Sequence, residues 1–311
     1  MNNTKRCPFI EKCGGCKFDF TAADYHDKKL SEIKNIPTTD MPIWLTYGNR
    51  RRADFCFTDN QFGFYERGTK NIIPIDSCPN LLPDINDILP YVSKLPWIGA
   101  GSCLITKCEN GIDIAISSSV PYFTPEFRDA AQKIPAIRIS WNDKIIKQTT
   151  VPIIKFEDKE IEYPVAAFLQ PSVTGADTLR NMVKEYTNSA TKIADLFCGL
   201  GNFTFVTNAD GFDVVGTGTK RDLFKNPLTT GMLKQYDCVI MDPPRAGAFE
   251  QCKTLIKSDV QRIIYVSCNP NTFLRDKKLL NNGGYKTTKI IPIDQFVGSA
   301  HWEIFAIFDK E

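Results

Sequence analysis

Three stretches of this 311-residue chain put reactive side chains where an apolar run gives way to a turn. RIIYVSCNP, residues 262 to 270, is β-branched and apolar until it stops at Ser-Cys-Asn-Pro, so Cys268 stands at the lip of the run and not inside it. Ligands of open α/β sheets bind at the carboxyl ends of strands, and a thiolate there is a nucleophile for covalent catalysis. The plainer reading is a buried cysteine acting as a small hydrophobe. Asp242-Pro243-Pro244-Arg245 follows the apolar run Cys238 to Met241. Prolines cannot extend a ladder, so they hold a carboxylate and a guanidinium in a rigid loop, unless this is a simple strand exit of turn-forming residues.

In ADLFCGLGN, residues 194 to 202, a strand runs into a G-x-G turn, where missing side chains let a ligand approach the backbone. The longer G-x-G-x-x-G pattern is not completed, which disfavours a dinucleotide and leaves open an adenosyl ligand such as S-adenosylmethionine.

Cys7, Cys13 and Cys16 form a C-x5-C-x2-C pattern with Gly14-Gly15 between the last two, and Cys78 is available as a fourth thiol. Four thiolates suit tetrahedral zinc or a cuboidal iron-sulfur cluster. Zinc sites more often pair two C-x2-C knuckles, so one long arm, one short arm and a distant single cysteine favour [4Fe-4S]. Cys56, Cys103, Cys108, Cys238 and Cys252 have no such spacing and are read as packing residues.

These residues need elements to position them. A composition of 42% hydrophobic and 24% charged residues is that of a globular chain long enough for two domains. A net charge of +2 excludes a polycation, so contact with nucleic acid must come from local patches such as Arg50-Arg51-Arg52, whose commoner fate is a solvated turn. No apolar leader or run of eighteen apolar residues is present, so a cytoplasmic protein without a membrane span is expected. Eleven cysteines then point to metal binding or catalysis before disulfides. Residues 1–160 alternate in short strand-like pieces around a helix bracketed by prolines in LLPDINDILPYVSKL, giving a mixed, mostly β module. Residues 161–311 alternate helix and strand: a helix over 173–186 with Leu179, Met182 and Val183 on one face, strands ending at the motifs above, and two closing strands. That pattern predicts a parallel, doubly wound sheet.

The motifs ADLFCGLGNFTF, VIMDPPRAGA, YVSCNP and HWE, in that order, with FLQPS upstream and the cysteine pattern, resemble the RNA uracil-C5 methyltransferases that make 5-methyluridine. The likeness covers most of the chain and implies an α/β fold: a Rossmann-like class I methyltransferase domain after an N-terminal iron-sulfur and RNA-binding module. It implies that Cys268 adds to C6 of the target uracil and that Glu303 of the H-x-E motif removes the C5 proton. In a strand, His301 and Glu303 would share a face. It also implies that Gln170, Phe197 and Asp242, with Asn202, contact S-adenosylmethionine, and that Cys7, Cys13, Cys16 and Cys78 hold a [4Fe-4S] cluster. The partner implied is transfer or ribosomal RNA whose base is flipped out of its stack, with Arg50 to Arg52 as the clamp and a monomer as the working form. Cys7 lies almost at the start, so no accessory β-barrel is expected before the cluster.

One region departs from the pattern. Between Gly201 and Asp222 lie twenty residues, fewer than the thirty or so of a βαβ unit. The expectation is a truncated sheet lacking a strand and two helices, with Asp213 to Arg221 read as the third strand and its exit. Asp210 and Asp213 then stand in the wrong context to be the ribose-binding acid. GTGTK in the gap does not meet phosphate-loop spacing. Two functions follow: an active methyltransferase with a reduced donor site, or an impaired relative that persists as an iron-sulfur RNA-binding protein or a decaying gene product.

Overall fold

A computed structural model describes residues 6–311. The chain divides into two compact units that are not the consecutive stretches 1–160 and 161–311. One runs to Lys28 and comprises also Thr46–Val173 and Val297–Ala300; the other comprises Lys29–Leu45, Thr174–Phe296 and His301–Glu311. Apart from short helix α1 (Tyr25–Leu30), each unit has its own sheets and core.

The first unit is mostly β. Strands β1 (Arg52–Thr58), β2 (Gln61–Tyr65), β3 (Ile72–Pro74), β4 (Gly101–Cys108), β5 (Gly111–Ser118), β6 (Arg138–Trp141) and β7 (Lys144–Gln148) form one sheet in the order β3-β2-β1-β4-β5-β6-β7. Helix α2 (Pro83–Val92) starts with proline at its first turn, where no N–H is needed, and buries Ile85, Ile88, Leu89 and Val92. Helix α3 (Pro125–Gln132) is capped by Thr124, whose hydroxyl accepts from the Phe127 N–H. Phe55, Phe57, Trp97, Phe127 and Trp141 fill the core. A hairpin of β8 (Ile153–Phe156) and β9 (Lys159–Glu162) follows.

The second unit opens with α4 (Val173–Tyr186), whose buried Leu179, Met182 and Val183 lie on the expected face. Then come β10 (Ile193–Leu196), α5 (Thr204–Thr207), β11 (Asp210–Asp213), β12 (Thr219–Lys220), α6 (Thr230–Leu233), β13 (Cys238–Met241), α7 (Phe249–Leu255), β14 (Arg262–Ser267), α8 (Pro270–Asn282), β15 (Tyr285–Ile293) and β16 (Glu303–Lys310). The sheet order is β12-β11-β10-β13-β14-β16-β15. β10 to β14 and the two short strands are parallel, and β15 and β16 close the edge antiparallel. The order reverses between β10 and β13, which makes the carboxyl ends of that pair the switch point where doubly wound sheets bind ligands.

The missing strand is not missing. Asp210–Asp213 is a second strand paired with β10, and Thr219–Lys220 is a third paired with β11, so seven strands stand in the sheet. What is reduced is the connections. One turn of helix, α5, links β10 to β11, and only residues 214–218 link β11 to β12. Parallel neighbours ordinarily need a crossover of a dozen residues or more. Here just two residues of each strand pair, Phe212 with Thr219 and Asp213 with Lys220, so the return path is about 7 Å, within reach of a short loop. The loop is not accommodated freely, since it leaves Val214 and Val215 exposed.

Candidate active site

Three strand ends meet beside the switch point of the second unit. β14 ends at Ser267 and pairs antiparallel with β16 so that Ser267 lies opposite Ile304. Continuing that register by one residue sets Cys268 beside Glu303, the first residue of β16. β13 pairs parallel with β14, Met241 opposite Tyr265, and Asp242 follows directly. The alternation of strands thus brings together two carboxylates and a thiol that are scattered over 62 positions of sequence.

The loop carrying Asp242 and the turn carrying Cys268 are bolted to each other. The Asn269 side-chain amide donates to the Arg245 carbonyl at 2.8 Å, and the Thr272 hydroxyl donates to it at 3.1 Å. Arg275 donates to the Ala246 carbonyl at 2.9 Å. Buried Asp276 accepts from the Ala248 N–H and the Tyr265 hydroxyl at 2.8 and 2.7 Å. α8 begins right after Cys268, with Asn269 as its cap and Pro270 at the first helical position.

The electrostatics of the thiol are a contest. Burial pushes Cys268 up to about 11, reinforced by the charges of Glu303 and then Asp242, while Arg245 pulls the other way. Burial and repulsion win, so the resting thiol is protonated at neutral pH. Glu303 is 3% exposed. Burial first, and the charge of Asp242 second, hold its carboxyl well above the usual range, against the hydrogen bond from Gln295. Its Oε2 accepts from Gln295 Nε2 at 3.0 Å, and its Oε1 has no hydrogen-bond partner. A buried carboxyl with a raised pKa is what a base working near neutral pH requires.

His301 does not share a face with Glu303. β16 starts only at Glu303, and His301 is exposed in the preceding coil. The strand alternation expected there never begins.

At the next strand end, Phe197 takes a positive φ of 63° and Gly199 and Gly201 take 52° and 93°, so the chain turns sharply off β10. A side chain on Gly199 would point into open space. Asn202 accepts from Arg180 at 2.9 Å, and its buried Nδ2 has no partner. An open glycine cradle and an unspent buried donor fit a polar adenosyl ligand, the group implied by the motifs. The half-buried ring of Phe197 lies 5.3 Å from that of Phe224. Gln170 belongs to the first unit, where it is buried and its carbonyl accepts from Arg51 Nε at 3.1 Å.

Two residues escaped the sequence reading. Asp213 stands at the carboxyl end of the second strand after all, and its Oδ2 accepts from the Gly199 N–H at 2.9 Å. The acid at the end of a second strand was the signal, hidden because the short connection disguised the strand. Gln295, beside Glu303, carried no signal except its neighbourhood to H-x-E. Residues 214–218 also press on the glycine turn: Thr217 N–H donates to the Gly199 carbonyl at 3.1 Å. A Cβ on Gly216 would come within 1.8 Å of that oxygen.

In the first unit, Cys7, Cys13, Cys16 and Cys78 line one cavity of ≈ 240 Å³ together with Tyr47 and Arg50. Among the described residues no three His, Cys, Asp or Glu side chains are gathered closely enough to hold a metal ion. Arg50 to Arg52 do not form a solvated turn. Arg51 is 8% exposed, Arg50 turns its Nε to the Arg52 carbonyl while lining the cysteine cavity, and Arg52 lies over Phe168. The other cysteines, Cys56, Cys103, Cys108, Cys238 and Cys252, are buried. No helix of the described residues is long and apolar enough to cross a membrane.

The model of the tRNA (uracil-5-)-methyltransferase family matches residues 218–311, the part that begins after the shortened connection. A protein of Agrobacterium fabrum described as an uncharacterized RNA methyltransferase is 31% identical, covering 96% of this chain and 82% of its own; the alignment spans 343 positions, so relatives carry segments this chain lacks. The 23S rRNA (uracil(1939)-C(5))-methyltransferase of Salmonella typhi is 26% identical, covering 99% of this chain and 82% of its own. In structure, the tRNA (uracil-54, C5)-methyltransferase of Pyrococcus abyssi, solved with S-adenosyl-L-homocysteine, superposes with a TM-score of 0.72 at 22% identity, over 90% of this chain and 81% of that one, which shows a shared fold. The chain belongs to the RNA methyltransferases, and its residues 218–311 carry the pattern of the tRNA (uracil-5-)-methyltransferase family.

Proposed function

We propose that this protein methylates C5 of a uridine in RNA, with Cys268 as nucleophile and Glu303 as base. The observation that carries the reading is the meeting of Cys268, Glu303 and Asp242 at adjacent strand ends. Uracil C5 is a poor nucleophile. Bonding of the Cys268 sulfur to C6 moves the C5–C6 π electrons onto C5 and the O4 enolate, so a hard step becomes two easier ones. Bound S-adenosylmethionine supplies an electrophilic methyl group to that carbon. Glu303 then takes the C5 proton, the electron pair reforms the C5–C6 double bond, and the Cys268 sulfur leaves as thiolate. The raised thiol means that Cys268 gives up its proton only on attack, and that proton goes to Asp242, the other carboxylate facing the thiol, so that Glu303 is still ionised when the C5 proton leaves.

Phe197, Asn202 and Asp242 are assigned to the donor, the first two on the turn after β10 and the third after β13; the part of Gln170 rests on the motif likeness alone. The four thiols of the first unit are assigned to a [4Fe-4S] cluster, supported by the one cavity that all four line. When bound, such a cluster draws thiolates out of thiols that burial otherwise keeps protonated, Cys16 at about 11 and Cys78 at about 12. No step of the methyl transfer is routed through it.

A second reading, an impaired relative that retains RNA binding, is favoured by one observation: the 214–218 loop lies against the glycine turn that would cradle the donor. Calorimetry of S-adenosylmethionine on anaerobically prepared protein separates the two. Binding tighter than about 100 μM, or about 5.5 kcal/mol, together with transfer of labelled methyl to RNA that vanishes in Cys268→Ala, supports the enzyme. RNA retention with neither donor binding nor turnover sinks it.

A further inference from the structure

Glu303 has two carboxylate oxygens in different situations. Oε2 is held by Gln295 Nε2 at 3.0 Å, and Oε1 has no hydrogen-bond partner. Gln295 is itself held on both sides. Lys29, fully buried, sets its ammonium 2.7 Å from Asp294 Oδ1 and donates to the Phe296 carbonyl at 2.9 Å, so it spans the two residues that flank Gln295. The Lys29 carbonyl accepts from the indole N–H of Trp302, the residue before Glu303, at 3.0 Å. One lysine therefore anchors the backbone next to the amide and the backbone next to the carboxyl. From the other side, Gln295 rests on Gly175 of α4, where any Cβ would come within 2.3 Å of its Oε1. A glycine in the first turn of a helix costs helix stability, and here it makes room for this amide.

Two buried charges in an ion pair are an expensive way to hold a turn. The pair makes sense if the turn must not move.

We propose that Gln295, fixed by the Lys29–Asp294 pair, is a positioning residue that occupies Oε2 of Glu303 and leaves Oε1 as the atom that removes the C5 proton. The inference rests on the function proposed above and adds to it the atom that acts and the residues that aim it. It separates Gln295 from the earlier steps, because bond formation by Cys268 and methyl transfer precede proton removal.

The test uses the full-length protein carrying Gln295→Met, which keeps length and volume but has no donor, and Gly175→Ala, which displaces Gln295 without touching Glu303. With uridine RNA, kcat is expected to fall roughly tenfold to a hundredfold, the scale of a misplaced catalytic group, with KM unchanged. With RNA carrying 5-fluorouridine there is no C5 proton to remove, so the covalent adduct accumulates. Its rate of formation is expected to be unchanged in both variants. The charged groups facing Glu303 and its neighbour Cys268 are Asp242 and Arg245. With these intact, loss of the Gln295 donor is expected to move the acid limb of the kcat profile to higher pH. Adduct formation that falls in parallel with turnover, or an acid limb that stays put, overturns the proposal. A wild-type protein that forms neither product nor adduct refutes the proposed function instead. In that case the 13C resonance of the Glu303 carboxyl, assigned with Glu303→Gln, still decides: its titration must shift upward in Gln295→Met, and an unmoved titration overturns the link.

Discussion

The state of the Cys268 thiol is where the structure commits itself most sharply. Burial, with the charges of Glu303 and Asp242, raises it from an ordinary 9.0 to about 11, so at pH 8 about one molecule in a thousand carries the thiolate, against about one in ten for an unperturbed thiol. Alkylation by iodoacetamide, which needs the thiolate, should therefore be about tenfold slower at Cys268 than at a free thiol at pH 8, because the roughly hundredfold loss of thiolate is partly offset by the greater nucleophilicity of a more basic thiolate, beyond any effect of access. The assay follows the Cys268 peptide by mass spectrometry between pH 6 and 11, without RNA. The rate is expected to rise tenfold per pH unit and to bend only near pH 11. Asp242→Asn removes one of the repelling charges and should raise the rate at pH 8 severalfold. The sign carries over to stability: a thiol raised by folding contributes stability that is complete below its unfolded pKa and is lost as pH rises towards 11. A plateau near pH 8 would refute the reasoning. It would mean that the start of α8 and the Arg245 guanidinium outweigh burial, as they do in cysteines activated at helix N-termini.

Three further outcomes follow from other parts of the molecule. Gly216 has φ +85° and lies against the Gly199 carbonyl, so Gly216→Val should destabilise the second unit by about 1–3 kcal/mol, read as a lower melting temperature. Burial pushes Asp195 of β10 up to about 7, so its contribution to stability is present below its unfolded value near pH 4 and is lost as pH rises through 7; Asp195→Asn should flatten the fall in melting temperature between pH 5 and 8. Anaerobically purified protein should be brown, with absorbance near 400 nm, and Cys13→Ser with Cys16→Ser should abolish both colour and bound iron; a colourless, zinc-loaded protein would refute the cluster.

The short connection between β11 and β12 shows how a sequence conceals structure. Strand recognition relies on apolar runs separated by helices, and DGFDVVGTGTK contains neither a helix nor a conventional spacing. Its two strands exist because each offers only two residues to its neighbour, and that pairing is visible only once β10 is in place. Asp213 was hidden for the same reason. Arg50 to Arg52 failed in the opposite direction: three adjacent charges look solvated, yet the fold spends them on carbonyls and cavity walls.

Local chemistry was legible from the sequence because it depends on neighbours in the chain. The apolar runs, the glycine turn, the proline loop and the stop at Ser-Cys-Asn-Pro specified the alternation of helix and strand and put Cys268, Asp242 and Phe197 at strand ends. Whatever depends on residues far apart in the chain was decided by tertiary structure alone. Register set Glu303 beside Cys268, a buried lysine 265 positions upstream of Asp294 fixed the turn of Gln295, and burial, which no sequence window reports, decided which thiols and carboxyls are charged.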